Sequence, residues 1–120
     1  MILFDPNKRF YKGNLHTHTT NSDGRRSPED VLATYRAEGY DFIALTDHWK
    51  KTTGETHDWE GMLVLPGIEL DYTLPAQVIH IVGIGVDESV LNASRSGGAQ
   101  SGIDAIRNAD GRSSRIRPGR

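Results

Sequence analysis

The chain has 120 residues, 36% hydrophobic and 25% charged, which is room for one small globular domain or part of a larger one. It contains no cysteine, which excludes disulfides and thiolate metal sites, so any metal must be held by His, Asp or Glu. The formal net charge is −2, and all the basic excess sits in four arginines after residue 110, so the body of the chain is acidic and suits a cation better than a nucleic-acid backbone or a membrane surface.

No run approaches the roughly 20 apolar residues of a membrane helix. The opening MILFDPNKRF has no basic leader followed by an apolar core, so a cytoplasmic protein is expected. Asn14–Thr20 reads as extended, with threonines between histidines. NSDGRR, 21–26, is a polar loop. Ser27-Pro28-Glu29-Asp30 is a helix start: Ser27 caps, Pro28 suits the first position, and the acids face the positive end of the dipole. Val31, Leu32, Tyr35 and Ala37 continue an amphipathic helix to about Glu38, and Gly39 ends it. DFIALT, 41–46, reads as a buried strand. Residues 49–61 read as a loop. Met62–Leu65 and Gly67–Leu70 read as a third strand broken at Pro66, and Val78–Val86 as a fourth. Alternating strand and helix predicts an α/β fold with parallel pairing. Gln100–Asn108 reads as a short helix with Ile103 and Ile106 on one side, and the last ten residues as a basic tail.

The chemistry lies in the histidines. His16 and His18 are two apart, and on a strand such a pair shares one face, as a metal ion needs. The Ser22-Asp23-Gly24 turn adds a carboxylate. Asp47-His48 closes the second strand, and the carboxyl ends of parallel strands are where α/β sites converge. Asp47 reads equally as a cap or turn residue. Glu69 lies between Ile68 and Leu70, and a buried carboxylate needs a partner. His80 is flanked by Ile79 and Ile81, and reads either as a ligand or as a core histidine. His57 reads as a surface residue. Arg25 is kept as a contact for an anionic substrate, although Arg25 and Arg26 read as well as a solvated loop.

In order, NLHTHTTNSDG, DFIALTDH, LPGIEL and HIVGIG resemble the opening motifs of the PHP domain (polymerase and histidinol phosphatase), over roughly residues 11 to 86. The details are most similar to stand-alone bacterial PHP metallohydrolases. The resemblance implies the N-terminal part of a distorted, TIM-like (βα)7 barrel holding up to three divalent metals: zinc, manganese or iron. It implies that His16 and His18 bind a first metal with Glu69, that Glu69 bridges to a second also bound by His80, and that Asp23 and His48 bind a third. Glu69, His48 and Asp23 then form the catalytic group, with a metal-activated water attacking phosphorus.

The family's later motifs, a His-Pro after an apolar strand and a final Asp-x-His, are not found in this sequence. The expectation is a partial PHP domain over 1–110, with each metal short of one protein ligand. GIDAIRNADG resembles the family helix before the His-Pro strand. A permitted back-translation of GRSSRIRPGR, read two bases later, gives PVVSHPAWP, so residues 111–120 are read as an out-of-frame tail, the alternative being an ordinary basic tail. The leading functional reading is a metal-dependent phosphoesterase acting on a small phosphorylated substrate, with neither membrane nor nucleic acid as partner. The alternatives are an inactive remnant serving as a weak metal-binding or interaction module, and a polymerase-associated PHP module. An open barrel edge further predicts a marginally stable chain that self-associates.

Overall fold

A computed structural model describes residues 6–109; the proposed out-of-frame tail, 111–120, lies outside the described residues. In chain order the elements are β1 (Gly13–Thr17), α1 (Pro28–Ala37), β2 (Phe42–Leu45), β3 (His57–Trp59), β4 (Met62–Thr73), β5 (Val78–Ile84), a short 3-10 turn (Glu88–Asn92) and α2 (Gly98–Asn108). No helix among the described residues is long and apolar enough to cross a membrane.

Helix α1 forms as its sequence dictates. The Ser27 side chain accepts the Asp30 N–H, and Pro28 opens the helix. At the far end Gly39 takes φ +82°, and the Tyr40 N–H reaches back to the Tyr35 carbonyl at 3.1 Å. The buried stripe of α1 is Val31 and Leu32, with Tyr35 half-buried; Ala37, expected on that face, is exposed.

The sheet is mixed rather than purely parallel. Strands β1, β2 and β4 pair in parallel, while β3 and β5 both run antiparallel to β4. Strand β4 is the organiser. One of its edges pairs with β2 and then with the chain just beyond it, where Glu69 donates its N–H to the Asp47 carbonyl (3.0 Å) and accepts from the Trp49 N–H (2.9 Å). Because one residue's N–H and C=O point to the same side, β3 and then β5 occupy the other edge. The 49–61 segment, read as a loop, therefore contributes a short strand, β3.

Pro66 does not break β4. It falls between the last β3 pair, His57 with Val64, and the first β5 pair, Gly67 with Ile84. No neighbour there needs a donor, so the absent N–H costs nothing, and the Pro66 carbonyl still accepts from Gly85 at 2.8 Å.

Side-chain alternation along β4 divides the molecule into two faces. Met62 and Val64 join Ile43, Leu45, Val31 and Leu32 under α1. Ile68, Leu70 and Tyr72 join Val86, Val90 and Ala109, with Ile106 of α2 packed on them. Ile103, expected beside Ile106, is exposed instead. The opposite face carries Glu69 and Asp71. It also carries the β5 residues opposite Thr73, Asp71, Glu69 and Gly67, namely Val78, His80, Val82 and Ile84. The helices cover one face of the sheet and the histidines gather on the other.

Candidate metal centre

Four of the five histidines and two carboxylates converge where β1 and β2 end on β4. His16 lies in β1 and His18 just past it, and both reach Glu69 Oε1, at 3.5 and 2.6 Å. His48, just beyond β2, sits 3.9 Å from the same oxygen. The other oxygen, Oε2, is taken by His80 Nδ1 from β5. Glu69 thus turns one oxygen to His16, His18 and His48 and the other to His80. Its side chain is only 3% exposed, and its ion-pair contacts among the described residues are all to imidazoles. Asp23, 64% exposed, closes the cluster from the 19–26 loop, 2.7 Å from His18 Nδ1 and 3.3 Å from His48 Nε2.

Two triads hold their ligand atoms within 4.8 Å of one another: His16, His18 and Glu69, and His18, Asp23 and His48. This donor set of imidazole nitrogens and carboxylate oxygens is what borderline divalent cations take, so the residues present fit a divalent metal. The electrostatics agree. Burial pushes the Glu69 carboxyl up, but hydrogen bonds from His80 and His18 and the charge of His48 and His16 outweigh it and hold it below its ordinary value. The partial burial of Asp23 is likewise outweighed by His18 and His48, which hold its carboxyl low. Both acids therefore stay ionised, as metal ligands must.

A framework around these ligands sets their directions. The Thr46 hydroxyl meets His16 Nδ1 at 2.8 Å and also accepts the Thr17 N–H at 3.1 Å. Asp47 is fully buried. It accepts from the Thr19 N–H (2.7 Å), the Thr19 hydroxyl (2.8 Å), the Ser22 hydroxyl (2.7 Å) and the Thr52 hydroxyl. It is the anchor of the loop that presents Asp23. Gly24 lets that loop close on itself: its N–H bonds the Thr19 carbonyl at 2.8 Å, and a Cβ there would lie 2.6 Å from the His18 carbonyl oxygen.

The structure brings His16, His18, Asp23, His48, Glu69 and His80 together. It leaves Arg25 exposed on the loop surface, while Arg26 is drawn away to the Thr34 hydroxyl on α1. His57 is exposed on β3, bonded to the Glu55 carbonyl and apart from the cluster. Sequence reasoning missed Asp71, whose Oδ1 faces His48 Nδ1 at 3.1 Å. The signal was available: Asp71 is two residues after Glu69 on one strand, and so shares its face.

Comparison with known proteins finds partial likenesses. No family model matches the chain. It is 32% identical to a 5'-3' exoribonuclease of Haemophilus influenzae over 84 residues, 65% of this chain and 30% of that protein. It is 33% identical to a 3',5'-nucleoside bisphosphate phosphatase of Chromobacterium violaceum over 79 residues, 61% of this chain and 27% of that protein. A phosphoribosyl 1,2-cyclic phosphate 1,2-diphosphodiesterase of Eggerthella lenta is 37% identical over 81 residues, 62% of this chain and 30% of that protein. The names of these relatives all fit PHP-type metallohydrolases, at low identity and over part of their length. A solved amidohydrolase structure from Chromobacterium violaceum, with bound sulfate and no metal, superposes with a TM-score of 0.56 at 27% identity, over 72% of this chain and 32% of that one. The chain described here therefore spans about 30% of the length of the relatives it matches.

Proposed function

We propose that this chain carries the metal-binding part of a phosphoesterase site that hydrolyses phosphate esters borne on ribose. The observation that supports it best is Glu69, a buried carboxylate that turns one oxygen to His16, His18 and His48 and the other to His80. The names of the relatives supply the substrate class: a ribonuclease, a nucleoside bisphosphate phosphatase and a phosphoribosyl cyclic phosphodiesterase. All three cleave a phosphate ester of a ribose unit.

These residues would hold divalent cations, which when bound would supply Lewis acidity toward a phosphoryl group and lower the pKa of water. The chain's own residues do the positioning. His16, His18 and Glu69 form one ligand set. His18, Asp23 and His48 form another, with His80 on the second oxygen of Glu69. Thr46 directs the His16 ring, and Asp47 fixes the Asp23 loop. Asp23, exposed and ionised, stands where substrate and water arrive. Arg25, on the same exposed loop, is the cation proposed to meet the substrate phosphate.

The test is zinc and manganese content by elemental analysis, paired with hydrolysis of an aryl phosphate and of a 3',5'-nucleoside bisphosphate. His16→Ala and Glu69→Ala are the controls. Near-stoichiometric metal and turnover, both lost in both variants, are expected. Metal without turnover would reduce the chain to a metal-binding module, and neither metal nor turnover would overturn the proposal.

A further inference from the structure

Resting on that metal-site reading, we infer that Asp71 is a positioning residue: its carboxylate fixes the His48 ring so that Nε2 is presented as the ligand atom. Nothing in the family likeness assigns Asp71 a part. The geometry does.

Asp71 Oδ1 meets two ring nitrogens, His48 Nδ1 at 3.1 Å and the Trp49 indole Nε1 at 2.9 Å. The ring edge that carries Nδ1 is thus turned to Asp71 and tied there, next to an acceptor that the indole also grips. That turns His48 Nε2 to the opposite side, where Asp23 Oδ2 (3.3 Å) and Glu69 Oε1 (3.9 Å) lie. A carboxylate behind a ligating imidazole fixes the orientation of the ring. Among the described residues His16 has the neutral Thr46 hydroxyl in the corresponding place, so His48 is the more strongly backed of the two.

The acceptor is itself held still. Trp49 sits in the left-handed region at φ +55°, which costs energy in a residue with a Cβ. That conformation lets its N–H bond the Glu69 carbonyl while its indole reaches Asp71. The indole packs edge-on to Tyr72 at 5.4 Å and carries Arg95 over its ring at 4.6 Å. Register does the rest, because Asp71 lies opposite His80 across the β4–β5 ladder and two residues from Glu69 on one face. Asp71 is thus a rigid acceptor behind a ligand, rather than a free surface acid.

The full chain is tested with zinc alone, by titration calorimetry and by the histidine side-chain NMR signals of the zinc-loaded protein. Asp71→Ala is expected to lower zinc affinity by about 10–100-fold and to abolish the exchange-protected His48 Nδ1–H resonance. Asp71→Asn keeps one acceptor oxygen and should lose less, about 3–10-fold; it decides the matter if the alanine variant does not fold. Trp49→Phe removes the indole donor but leaves the His48 contact, and should stay within about threefold of the parent. Parent-like affinity and an intact Nδ1–H signal in the Asp71 variants overturn the inference. So does a Trp49→Phe loss as large as that of Asp71→Ala, since Asp71 would then serve only to anchor the indole. A parent chain that binds no zinc overturns the metal-site reading itself, a separate result.

Discussion

Replacing Asp47 with alanine should unfold the site from beneath. The carboxylate is fully buried and receives four donors: the Thr19 N–H and the Thr19, Ser22 and Thr52 hydroxyls. A hydrogen bond to a charged group is worth roughly 1.5–3 kcal/mol net. Four such values do not add, because the carboxylate had to be desolvated to receive them. Asp47→Ala leaves neutral buried donors without their acceptor, at about 1–3 kcal/mol for each that finds no other partner, so a loss of about 2–4 kcal/mol is expected. Asp47→Asn keeps the shape and one acceptor, so about 1–3 kcal/mol is expected. Urea denaturation of the metal-free chain, followed by tryptophan fluorescence, reads both. The pH dependence has a definite sign. Burial raises the Asp47 carboxyl, but the hydrogen bonds from Thr52, Thr19 and Ser22 outweigh it, so its folded value lies below the ordinary 3.8. Its contribution is complete above that value and fades as pH falls through the lower folded one. The parent should therefore lose stability below about pH 4 more steeply than Asp47→Asn does. A loss under about 1 kcal/mol for Asp47→Ala would refute the reasoning, because it would mean the loop does not hang on this carboxylate.

Three further outcomes follow from particular contacts. Gly24→Ala must push against the backbone of His18 and Thr19, which would lie 2.6–2.8 Å from the new Cβ; about 1–3 kcal/mol of stability and a fall in zinc affinity are expected, and parent-like calorimetry would contradict it. Ser27→Ala removes the α1 cap and should cost about 1 kcal/mol in urea melts, with zinc affinity unchanged because the cap is remote from the ligands. The face that holds the histidines also exposes Leu63, Val78, Val82 and Ile84, and among the described residues β5 is paired only with β4. Concentration-dependent association of the 120-residue chain is therefore expected in sedimentation velocity, weakened by Val82→Lys; a monomer at every concentration would refute it.

Much of this protein was legible from local pattern, because local physics wrote it. The cap at Ser27, the proline at the helix start and the glycine at its end need only neighbouring residues to act. The two-residue spacing of His16 and His18 is likewise a property of any extended chain. Buried strands were readable where apolar residues ran together, and four motifs in order pointed to a family. Pairing direction was not readable. Strands β3 and β5 run antiparallel to β4, and Pro66 is harmless, because of which edges meet across the sheet. The contacts of Thr46, Asp47 and Asp71 were also hidden, although the face that Asp71 shares with Glu69 was readable. Each acts through a side chain that only the closed sheet brings within hydrogen-bonding distance, such as Asp47 with Thr19, 28 residues earlier. Sequence alone determined which residues can bind a metal, since donor chemistry belongs to the side chain. Tertiary structure decided which of them converge and which groups hold them there, since those depend on distances between strands that no local spacing sets.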